Sequence, residues 1–80
     1  MKYKISLFGI TKDIVGDSTI QVEMEQLSDV QTVLGELKEI FPKLREIKSL
    51  MVAVNSEYAQ ADLLLTEKDE IALIPPVSGG

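Results

Sequence analysis

The chain has 80 residues, a formal net charge of −5, and neither cysteine nor histidine. That length fits one small domain. The composition excludes disulfides, thiolate zinc sites and imidazole ligands, so packing of the 45% hydrophobic residues must hold the fold.

The acidic balance argues against nucleic acid, whose phosphates demand a basic stripe, and favours a basic protein partner. No apolar run is long enough for a membrane span. Met1-Lys2-Tyr3-Lys4 passes straight into a strand pattern, unlike a signal peptide. No membrane partner is expected, and the absence of cysteine agrees with a cytoplasmic location.

Lys2 to Phe8 alternates, with Tyr3, Ile5 and Leu7 inward and Phe8 an apolar residue on the nominally polar side. Gly9 to Gly16 is a connection with one helical turn, Ile10 to Val15. Thr19 to Met24 alternates again, with Ile20, Val22 and Met24 inward, and predicts a hairpin with the first strand. Ser28-Asp29-Val30-Gln31 matches a capping box and starts a helix. Its apolar stripe is Val30, Val33, Leu34, Leu37, Ile40 and Phe41, and Pro42 ends it. Gly35, inside the helix, is expected to pack closely against the sheet. Leu50 to Asn55 is a buried strand, Tyr58 to Leu65 irregular or a short edge strand, and Glu67 to Glu70 a polar turn. Ile71 to Ile74 is the last strand, ended by Pro75 and Pro76. This order predicts an α+β fold, with a mixed sheet, one main helix across one face, and parallel first and last strands in the middle. That is a β-grasp, or ubiquitin-like, roll. The domain is expected to occupy residues 1–74 and an extended tail residues 75–80.

No catalytic constellation is visible. There is no cysteine nucleophile and no histidine base. Asp69 and Glu70 point apart in a strand and belong to a solvated turn, and no Gly-rich loop precedes a helix to cradle phosphate. No metal or cofactor is expected on the chain itself. The conspicuous group is the α-carboxylate of Gly80. Pro75-Pro76 gives a stiff exit, and Val77, Ser78, Gly79 and Gly80 follow, ending in two residues without side chains. Six extended residues span about 20 Å, enough to enter a buried active site. Beside the tail root, Ile74 and Ala72 fall on the outer sheet face with Ala53. Phe8 serves either this surface or the core, and Tyr58 extends the patch.

At these residues the sequence resembles the MoaD-type sulfur carriers, the small subunits of molybdopterin synthase. The resemblance covers nearly the whole chain, through Leu7-Phe8, Ile14-Val15-Gly16, Ala53-Val54-Asn55, Asp69-Glu70-Ile71-Ala72 and, most specifically, Pro75-Pro76-Val77-Ser78-Gly79-Gly80. It implies adenylation of Gly80 by an ATP-dependent ubiquitin-activating-type enzyme and conversion to a thiocarboxylate. It further implies insertion of the tail into the large synthase subunit, in a heterotetramer, and sulfur donation to a pterin precursor. ATP and that precursor would bind the partners. The same terminal chemistry serves sulfur carriers for thiamine or tRNA thiolation, and ubiquitin-like modifiers conjugated to lysines. The sequence departs from the family at four places. Gly9 stands where alanine is frequent, and Lys12, an expected interface residue, where arginine is. Lys68 replaces a turn glycine, and Ile74 an aromatic.

Overall fold

The computed structural model describes residues 1–76. Five strands form one mixed sheet: β1 (Lys2–Leu7), β2 (Thr19–Glu23), β3 (Met51–Val54), β4 (Glu57–Tyr58) and β5 (Ile71–Ile74), in the order β2-β1-β5-β3-β4. β1 and β2 are antiparallel, with Ile5 opposite Ile20. β5 lies parallel to β1, Leu7 opposite Leu73, and antiparallel to β3, Val52 opposite Leu73. The last strand is therefore the middle of the sheet, as the β-grasp expectation requires.

One face of the sheet is the core. Alternation places Tyr3, Ile5, Leu7, Val22, Val52, Val54, Ile71 and Leu73 inward, all buried. Tyr3 brings a hydroxyl into this core and satisfies it twice. Its O–H donates to the Leu65 carbonyl at 3.0 Å and its oxygen accepts from the Ser28 amide at 3.0 Å.

The main helix, α2 (Val30–Ile40), covers that face with Val30, Val33 and Leu37. Its cap differs from the expected one. Asp29, not Ser28, is the N-cap and accepts from the Thr32 amide at 2.8 Å, and bonds from Thr32 hold its carboxyl below the usual value. Ser28 is drawn instead to the Tyr3 hydroxyl and the Gln26 carbonyl. Ile40, expected on the apolar stripe, is exposed at the helix end. Gly35 also departs from expectation: it lies on the exposed side, where an added Cβ would meet nothing within 4 Å. The helix stops before Pro42, as expected. A 3-10 turn over Pro42–Glu46, which the pattern did not reveal, then buries Leu44. The short helix α1 (Ile10–Val15) ends at Gly16, whose φ of 87° forms a left-handed cap.

The turn from β3 to β4 has positive φ at both central residues, 54° at Asn55 and 71° at Ser56, the hairpin geometry that asparagine tolerates. Asn55 also ties this turn to the entry of β5. Its side chain donates to Asp69 Oδ1 at 3.0 Å and accepts from the Glu70 amide at 3.0 Å. Asp69 accepts from the Thr66 amide as well, at 2.8 Å. The Thr66 amide, and next the Asn55 side chain, hold the Asp69 carboxyl below its ordinary value. Asp69 is thus a structural clamp within the polar turn. Lys68 occupies that turn without positive φ, so no glycine is needed there. Among the described residues, no helix is long and apolar enough to cross a membrane.

Candidate functional site

The outer face of the sheet is built from rungs. One runs Ser6–Ala72–Ala53–Tyr58 across β1, β5, β3 and β4. Its two alanines reach little above the backbone and leave a shallow floor. The next rung pairs Ile74 with Met51, and Phe8 follows the last residue of β1 on the same side. Larger side chains therefore rise around a small-residue floor. The result is an open, mainly apolar depression bordered by Phe8, Tyr58 and Ile74, with Ala53 and Ala72 as floor and Glu70 at its edge.

Three residues expected beside the tail root therefore meet. Phe8 is 52% exposed and Tyr58 66%, while Ile74 is half-buried. For Phe8, where alternation left core and interface open, the structure chooses the surface. Fixed apolar surface of this kind suits protein docking. Lys12 is exposed on α1 and does not line the depression. Pro75 is half-buried and Pro76 exposed at the end of β5. Val77, Ser78, Gly79 and Gly80 lie outside the described residues.

Sequence reasoning missed three contributors. Met51 is 45% exposed and shares a rung with Ile74. Alternation with inward Val52 would have found it. Thr11 is fully buried and holds Phe8 by both backbone groups: the Phe8 amide donates to Thr11 Oγ1 at 3.0 Å, and the Thr11 hydroxyl donates to the Phe8 carbonyl at 2.6 Å. These bonds are local, three residues apart, and periodicity carries no sign of them. Gly9 lies against Pro75 at the tail root, signalled in the sequence only as a departure from alanine.

Ser6, Ser56 and Glu70 also line the depression, but no histidine, cysteine or lysine stands among its lining residues to activate a hydroxyl. Among the described residues, no group of three or more His, Cys, Asp or Glu side chains gathers to hold a metal. What the arrangement can do chemically is bind a partner and present whatever follows Pro76.

Known proteins resemble the chain over its whole length. The ThiS family model matches residues 5–80. A molybdopterin synthase sulfur carrier subunit from Arabidopsis thaliana is 36% identical over 81 residues, covering 100% of this chain and 84% of the relative. One from Dictyostelium discoideum is 35% identical over 83 residues, covering 99% and 96%. Among solved structures, SAMP1, the small archaeal modifier protein 1, from Haloferax volcanii superposes with a TM-score of 0.84 at 28% identity, covering 100% of both chains.

Proposed function

The chain belongs to the ThiS family, and from that membership we propose that it is the sulfur-carrier small subunit of a molybdopterin synthase, with the Gly80 carboxylate as the carrying group. The observation behind this reading is the join of sheet and tail. The central strand β5 runs into Pro75-Pro76 beside an apolar depression, and Val77-Ser78-Gly79-Gly80 follow in the sequence. The identity to sulfur carrier subunits from two organisms supports the choice of pathway over thiamine or tRNA thiolation.

A carboxylate is a poor acyl donor. A ubiquitin-activating-type enzyme joins the α-phosphate of ATP to a Gly80 carboxylate oxygen, and pyrophosphate leaves. Sulfide, HS⁻, then attacks the acyl carbon, AMP departs with that oxygen, the sulfur's proton passes to solvent, and a thiocarboxylate remains. Its sulfur is a softer nucleophile than the oxygen it replaced, suited to attack on a pterin precursor inside the large subunit. The globular body docks through Phe8, Tyr58 and Ile74 while the tail enters. Assembly with the large subunit in a cytoplasmic heterotetramer belongs to the same reading. Catalytic side chains, ATP and the pterin precursor reside with the partners.

A second reading rests on the likeness to SAMP1: a modifier joined through Gly80 to lysines of other proteins. Deletion of Gly80 tests the first. The truncated chain should keep its circular dichroism spectrum and urea midpoint and lose sulfur transfer to the large subunit entirely. Normal transfer by the truncated chain would overturn the proposal. Covalent adducts in cell extract that vanish with Gly80, without any sulfur uptake, would favour the modifier.

A further inference from the structure

We propose that Leu63 and Leu64 form a second anchor for the large subunit, an apolar ledge that fits an apolar surface with a basic rim. Leu63 is 42% exposed and Leu64 64%. They do not belong to a frayed loop. The Leu63 amide donates to the Gln60 carbonyl at 3.2 Å, and the Leu63 carbonyl accepts from the Val30 amide at 3.0 Å. Leu64 pairs antiparallel with Asp29, and the Leu65 amide donates to the Ser28 carbonyl at 2.9 Å. Leu65 itself is fully buried, so the chain is anchored where it passes the ledge. Two neighbouring leucines are thus held in water by a fixed backbone. Apolar surface kept exposed in this way gains by burial against a partner.

Continuity selects the partner. Tyr58 borders the outer-face depression, and with Ala59, Leu63 and Leu64 it also lines a second open hollow just after the edge strand β4. A subunit that covers Tyr58 from the depression therefore meets the ledge next. Charge selects the rim of that partner. Asp62 lines the second hollow, Asp29 is paired with Leu64, and Glu57 precedes Tyr58. The ledge joins two stretches of chain, 13–37 and 49–67, through the bonds above. They hold six and three of the 13 Asp and Glu residues and none of the 8 Lys and Arg. Two copies of such a surface repel each other, whereas Lys or Arg side chains around an apolar patch complement it.

This inference rests on the sulfur-carrier reading for the identity of the partner, and the experiment separates the two. Titration calorimetry compares the affinity for the large subunit of wild type, the double variant Leu63→Ser/Leu64→Ser, Leu64→Glu and Leu64→Lys, with each folded fraction fixed by urea unfolding. The double variant should bind about tenfold more weakly. Leu64→Lys should bind more weakly than Leu64→Glu, because both lose the same apolar group and only the added cation opposes a basic rim. Added salt should narrow that gap. Ile40→Ser, which removes an exposed apolar side chain at the end of α2, should bind as the wild type does. Unchanged affinity in the double variant, or a loss that merely follows the folded fraction, would overturn the ledge and leave the sulfur-carrier reading standing. Equal affinities of Leu64→Glu and Leu64→Lys at low salt would overturn the basic rim. A wild type that binds no large subunit defeats both the reading and the ledge. A wild-type dimer in sedimentation that the double variant loses, with affinity for the large subunit kept, would give the ledge to a second copy and overturn the proposal.

Discussion

Gly35 lies inside α2 on the side away from the sheet, with open space where a Cβ would stand. No positive φ and no neighbour require glycine there. Gly35→Ala should therefore stabilise the fold by about 0.5–1 kcal/mol, through the smaller entropy lost by alanine on entering a helix. Urea unfolding checks this, and a lower midpoint for the variant would contradict it. Composition revealed that a glycine interrupts the helix but not which way it faces, because that depends on how the whole stripe rotates onto the sheet. Phe8 is the converse case. Alternation assigned its side correctly, yet core and interface stayed open until the neighbours on β3, β4 and β5 were known. Ser28 and Asp29 are a third instance. Both are good caps, and the buried Tyr3 hydroxyl, 25 residues away in sequence, decides between them by taking the Ser28 amide.

At the scale of elements, β5 joins fold to function. Its inward Ile71 and Leu73 anchor it in the core, while outward Ala72 and Ile74 shape the depression. Ala72→Arg would fill the floor between Ser6 and Ala53 and place a cation where a basic partner is expected. The prediction is an unchanged fold and at least about tenfold weaker binding to the large subunit. Titration calorimetry measures it, and unaltered affinity would remove this face from the interface. The strands were legible because each has an apolar and a polar side, and the helix because its spacing is regular. The 3-10 turn over Pro42–Glu46 was not legible. Five residues carry too little periodicity, and Leu44 is buried only because the returning chain meets α2 there. The clamp of Asn55 and Asp69 was hidden for the same reason, its partners being 14 residues apart.

The described residues form a sheet-and-helix body whose outer depression has no histidine, cysteine or lysine in its lining. Its charge of −5 favours fast encounter with basic partners and gives no chemistry. On the proposed reading the reactive group is the carboxylate of Gly80, and the sheet with its apolar depression serves to dock the partner that receives it. Mass spectrometry after incubation with the activating enzyme, ATP and a sulfur source tests this most directly. The account predicts the mass increase of one oxygen-to-sulfur exchange, lying on Gly80 in the C-terminal peptide. An unchanged mass under conditions in which the enzyme adenylates the chain would contradict it.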